Sequence, residues 1–106
     1  MLSDDESVRP EISRGAETAI SLDGEFDLSN ASALREQLAA AIATEADRII
    51  IDMSGVTFMD SSGLAELVVA RNNLAPNRII EIRHLQPSVR KVFDLTGLSG
   101  IFGHDA

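Results

Sequence analysis

The sequence contains no cysteine, no tryptophan and no tyrosine, and only three prolines in 106 residues. The absence of cysteine excludes a disulfide framework and any thiolate metal site. Without Trp and Tyr, two of the side chains that most often anchor binding sites are missing. Phe26, Phe58, Phe93 and Phe102 are the aromatics that remain. Long apolar runs are lacking too: a stretch such as Leu38–Ala43 is far too short for a membrane span, and no signal peptide is read, so a cytoplasmic location without membrane insertion is expected. Bases are scarce, nine Lys and Arg against 17 Asp and Glu, for a net charge of −8. Phosphate backbones and anionic membranes select basic surfaces, so direct nucleic-acid binding is not expected and a basic partner surface fits better. The two histidines, His84 and His104, stand at no metal-ligand spacing and read as surface residues. No metal and no cofactor are expected.

What the chain does contain is ordinary for a globular protein, with 44% hydrophobic and 25% charged residues. The length suits one small domain with a single modest core. No internal repeat, low-complexity segment or linker interrupts it.

Residues 1–7 are polar and acidic and are expected to be frayed. A weak strand signal over Val8–Ser13, with Pro10 suiting an edge, is followed by a turn at Arg14–Glu17. Thr18–Leu22 reads as a strand pairing back on the first, and Asp23–Leu28 as a turn-rich bridge. Ser29 and Asn30 are N-cap candidates for a helix to about Thr44, with Leu34, Leu38, Ala41 and Ile42 on its apolar face. Ile49-Ile50-Ile51 lacks alternation and reads as a strand covered on both faces, ended by Asp52, with a turn at Ser54-Gly55. Phe58 and Met59 are expected to plug the core. A second helix is predicted from about Ser62 to Asn73, a strand over Ile79–Arg83, and a third helix opening at Pro87 and stopping at Gly97. Val89, Val92, Phe93 and Thr96 form its predicted inner face, while Arg90 and Lys91 face solvent; Ile101-Phe102 adds a short last strand. Helices alternating with strands in this order predict a layered α/β domain with a mixed, mostly parallel sheet flanked by helices.

The chemistry concentrates between the Ile49–Ile51 strand and the second helix, at Asp60-Ser61-Ser62-Gly63. A strand-to-helix junction leaves the first helical N–H groups unpartnered. Asp and Ser side chains cap such donors, and the helix dipole favours negative charge there, so the junction can hold a phosphate, bound or covalently attached. Ser61 and Ser62 offer adjacent hydroxyls. Taken alone, the tetrapeptide reads first as a plain helix cap, and the rest of the sequence has to decide.

Three blocks in order, Gly24-Glu25-Phe26-Asp27, Val56–Leu64 with its Asp-Ser-Ser-Gly, and Val89–Leu98, resemble the signature blocks of the STAS family, and more narrowly its bacterial anti-sigma factor antagonists. The resemblance runs from about Val8 to Phe102 and implies a single STAS domain over residues 1–106. It implies a non-catalytic switch. The unphosphorylated protein binds an anti-sigma factor that is itself a GHKL-type serine kinase, which frees the sigma factor; phosphorylation at the position matching Ser61 releases the kinase, and a serine phosphatase restores the first state. Asp27, Asp60, Ser61, Ser62 and Gly63 become the partner-binding residues, with Ser62 and Gly63 letting the partner approach the backbone closely. Ser62 reads as cap and helix start before it reads as a second acceptor. Phe26 stands where the family usually has Leu, Arg71–Arg78 is short by a residue or two, and the sequence stops after Phe102 where many relatives continue into a helix. These departures bear on partner choice and oligomeric state; the free chain is expected to be a monomer.

Catalysis is the reading set aside. Asp60-Ser61-Ser62-Gly63 does not fit the Gly-x-Ser-x-Gly elbow of a serine hydrolase, and no Gly-rich, Lys-containing phosphate loop is present. An aspartyl phosphoacceptor at Asp52 would need an acidic pair after the first strand and a late lysine; Asp4 and Asp5 precede that strand and Lys91 lies on a helix. The rival within the family is an accessory subunit of a membrane (lipid) transporter ATPase complex or of a stress-signalling assembly, whose transporter members often lack the hydroxyl that Ser61 supplies.

Overall fold

The structure is a computed structural model that describes residues 16–98 and 102–104. The expected strand at 8–13, the frayed 1–7 and Ile101 lie outside the described residues. Along the chain, strand β1 (Glu17–Phe26) leads through a 3-10 turn (Leu28–Asn30) into helix α1 (Ala31–Ile42). Strand β2 (Arg48–Met59), helix α2 (Ser61–Asn72), strand β3 (Ile79–Arg83), helix α3 (Pro87–Leu95) and the short strand β4 (Gly103–His104) follow. The strands form one sheet in the order β1-β2-β3-β4, and every pair in it is parallel. Parallel neighbours require crossovers, which the helices supply. The antiparallel member expected of a mixed sheet was the 8–13 segment.

The sheet face carrying Leu22, Ile49, Ile51, Met53, Ile80 and Ile82 packs into one core with Leu34 and Leu38 of α1, Leu64 and Leu67 of α2, and Val89 and Phe93 of α3. Each of these side chains contributes roughly 1.5–3 kcal/mol by leaving water. Phe93 meets Phe102 edge to face, ring centroids 6.2 Å apart, which closes the core below β4. The three isoleucines of β2 are all buried, yet Ile50 stands outside this core cluster. Its register partners are Ala19 and Glu81, and its same-face neighbours are Arg48 and Asp52. Arg48 pairs with Glu81, and Arg83 with the same carboxylate. Ile50 is therefore flanked by long charged side chains, whose aliphatic stems can cover apolar surface.

Several local expectations are corrected. Asp23–Phe26 is not a bridge but the second half of β1, and Ser54-Gly55 is not a turn but the middle of β2. Both strands run on because they pair through shifts of register, between Ser21 and Asp23 and between Gly24 and Glu25. Gly24, at φ +95°, supplies the left-handed backbone of the irregularity. Asp52 accordingly lies inside β2 and does not end it. Met59 is buried as expected, but Phe58 is 47% exposed. Thr96 is not on the inner face of α3; it is exposed at the helix end, where its hydroxyl donates to the carbonyls of Val92 and Phe93. Gly97, at φ +77°, ends that helix as predicted.

Candidate functional site

The ladder between β1 and β2 brings the site together. Phe26 and Met59 are register partners at the ends of the two strands, so the next residues, Asp27 and Asp60, leave the sheet side by side. The Asp60 N–H donates to the Phe26 carbonyl at 3.1 Å and fixes that juxtaposition. Both turns lie at the carboxyl edge of a parallel sheet, where loops rather than packing decide what the surface offers.

Each aspartate caps a helical segment. Asp27 accepts from the Ser29 N–H at 2.9 Å and from the Ser29 hydroxyl. Asn30 reciprocates: its side-chain oxygen accepts from the Asp27 N–H at 2.9 Å and its amide donates to the Glu25 carbonyl at 2.8 Å. The Ser29 hydroxyl, then the Ser29 N–H, hold the Asp27 carboxyl below the usual carboxylate range. Asp60 is the N-cap of α2; one carboxylate oxygen accepts from the Ser62 N–H at 2.8 Å and, more weakly, from the Gly63 N–H at 3.4 Å.

Ser61 is the first residue of α2 and is exposed, while Asp60, Ser62 and Asp27 are half-buried. The structure thus gathers Asp27, Asp60, Ser61 and Ser62 on one edge. Gly63 requires a correction. It is buried, and a Cβ there would lie 2.8 Å from Met59 Cγ and 3.2 Å from Phe26 Cβ. The close approach that Gly63 permits is that of α2 onto its own core, beneath the exposed serine. Behind the site, Arg35 of α1 grips Glu66 of α2 through two contacts of 2.8 and 3.0 Å, which raises the Arg35 pKa and lowers that of Glu66. With Arg35 exposed and Glu66 half-buried, the pair is partly screened by solvent and orients the two helices. Nothing in the residue pattern had singled out this bridge, because its partners are 31 positions apart.

His84 is exposed, as expected, and is placed away from Ser61. His84 Nδ1 sits 3.3 Å from Asp52 Oδ1. Asp52 pairs with Ser21 and Met59 with Phe26, five β1 positions further on, so the His84–Asp52 pair lies roughly 17 Å from the strand end that leads to the serine, at about 3.3 Å per residue. A cavity of about 500 Å³ lined by Arg71, Leu74, Pro76, Arg78 and Ile80 is at the opposite end of α2. Among the described residues no group of three His, Asp or Glu could hold a metal ion, and no helix is long and apolar enough to cross a membrane.

Comparison with known proteins places this geometry. The family model described as "Mlab, STAS domain" matches residues 12–103. The chain is 30% identical over 82 residues to BtrV of Bordetella bronchiseptica, named as an anti-sigma factor antagonist, which covers 76% of this chain and 71% of BtrV. A crystal structure of an anti-sigma factor antagonist from Mycobacterium paratuberculosis superposes with a TM-score of 0.77 at 30% identity, over 83% of this chain and 75% of that one. The anti-sigma factor antagonist SpoIIAA in its unphosphorylated form gives 0.69 at 28% identity, over 85% and 80%. The layered α/β fold and the three motif blocks agree with these similarities, and the chain belongs to the STAS domain family.

Proposed function

We propose that this chain is an anti-sigma factor antagonist switched by phosphorylation of Ser61. The observation that carries the reading is an exposed serine at the first position of a helix, capped by Asp60 and flanked by Asp27 from the turn after the neighbouring strand. The unphosphorylated chain binds an anti-sigma factor serine kinase of GHKL type through Asp27, Asp60, Ser61 and Ser62. Binding withdraws the kinase from its sigma factor. Transfer of phosphate to Ser61 ends the complex, and a serine phosphatase restores the hydroxyl. The chain supplies no catalysis: it is one STAS domain over residues 1–106, monomeric when free, acting in the cytoplasm. The relatives named as anti-sigma factor antagonists support this reading.

A phosphate on Ser61 adds about −1.5 to −2 charges at pH 7. Sequence alone pointed to free N–H groups that would receive it. The Ser62 and Gly63 N–H groups are already engaged by Asp60, so the dianion gains little from them and stands beside two carboxylates. Its effect falls on whatever surface must close over it.

Incubation with the kinase and ATP should add one phosphate, at Ser61. Ser61→Ala should lose all labelling and still bind the kinase. Undiminished labelling of that variant, or a phosphate mapped to Ser62, contradicts the assignment. Capture of a transporter ATPase instead of a kinase from cell extract would favour the accessory-subunit reading.

A further inference from the structure

Two large apolar side chains lie open on the edge that carries Ser61. Leu28, the residue after Asp27, is 79% exposed, and Phe58, two residues before Asp60, is 47% exposed. Phe58 is the register partner of Glu25, so the two share one sheet face, opposite to the buried Phe26 and Met59. Carboxylates stand on the same strand ends and turns: Asp23 and Glu25 on β1, Asp27 in the turn and Asp60 at the head of α2, the first two exposed. Arg35 is held by Glu66, and Arg90 and Lys91 ride on α3, whose Ser88 hydroxyl contacts the Thr57 carbonyl. Exposed leucines and phenylalanines cost solubility without a compensating contact within the chain, and apolar side chains rimmed by charge mark protein interfaces.

We propose that Leu28 and Phe58 are apolar anchors that fix which kinase this chain binds, entering a hollow rimmed by arginine or lysine on the kinase. The proposal rests on the function argued above and adds to it the residues that select the partner. The phosphoacceptor block Asp60–Gly63 positions the hydroxyl, and the carboxylates attract a basic rim. Neither supplies buried apolar area at the centre of the contact, where binding energy concentrates. Leu28 extends from the same turn that Asp27 caps, so anchor and acid are presented by one hydrogen-bonded 3-10 segment.

The test measures the affinity of the purified chain for its anti-sigma kinase, with Leu28→Ser, Phe58→Leu and the control Leu95→Ser, which is exposed on α3. Leu28→Ser should leave the melting temperature unchanged and weaken binding at least tenfold. Phe58→Leu should weaken it less, and Leu95→Ser by under twofold. Raising the salt concentration should weaken every variant by a similar factor, since the charged rim is untouched. Leu28→Ser binding within twofold of wild type overturns the anchor assignment while leaving the switch reading in place. Failure of any anti-sigma kinase of the organism to bind the wild-type chain overturns both.

Discussion

Gly63 has no room for a side chain, because Met59 Cγ and Phe26 Cβ occupy the space where one would go. Gly63→Leu must push Met59 aside or lift α2, and overpacking of that kind costs typically 1–3 kcal/mol, occasionally more. For a domain of this size each 1 kcal/mol lowers the midpoint by roughly 4–8 °C, so a thermal melt should fall by that amount or several times it. An unchanged melt would show that the helix has more freedom than its packing implies. Two aspartates make the fold sensitive to acid. Hydrogen bonds from Ser29 lower the Asp27 pKa, and Asp52 is lowered first by the Ser54 N–H, at 2.9 Å. A folded value below the unfolded one of about 3.9 means that each contributes stability above that pH and loses it as pH falls through the folded value. The urea midpoint should therefore drop as pH falls below about 4, and less steeply in the Asp27→Asn, Asp52→Asn double variant. Equal slopes in the two proteins would contradict the sign of these shifts.

At the scale of elements, the helices and strand β3 announce themselves, while β1 and β2 show only part of their length. Leu34, Leu38 and Ala41 recur at helical spacing and are buried as that spacing predicts. Pro87 and Gly97 bracket α3 for reasons each residue carries in its own backbone. Strands β1 and β2 are longer than their alternation implies, because glycine within a strand reads locally as a turn. At Gly24 and Gly55 it instead accommodates a bulge, with the Asp23 carboxylate lying over Gly55 where a Cβ would collide with it. Only the pairing of the two strands reveals this, and pairing is long-range. The irregularity has a consequence for the site: it sets Phe26 opposite Met59 and so brings Asp27 beside Asp60. The candidate residues were legible as a motif, whereas the inward role of Gly63 and the outward position of Phe58 were not, since both depend on which face β2 turns toward α2. Asp60 itself is the N-cap of α2, and its replacement by Ala should cost about 1 kcal/mol in urea unfolding, within a range of about 0.5–2. A loss near zero would mean that Ser61 or water replaces the cap.

The whole molecule is an acidic α/β layer with one edge at which two helical segments begin, two carboxylates stand together and an exposed serine follows. Its net charge of −8 suits the basic partner surface proposed for it, and the apolar core behind that edge lies beneath α1 and α2. In the proposed switch, phosphorylation at Ser61 adds charge at the edge assigned to the partner, beside carboxylates that are already committed to capping. Like-charge contacts at an interface cost several kcal/mol, and each 1.4 kcal/mol is tenfold in affinity. The most direct test of the account is the affinity of the anti-sigma kinase for the homogeneous chain with and without phosphate on Ser61, measured side by side at physiological salt. The phosphorylated form should bind at least 30-fold more weakly, which corresponds to about 2 kcal/mol. Equal affinity of the two forms would contradict the claim that this edge is the switch.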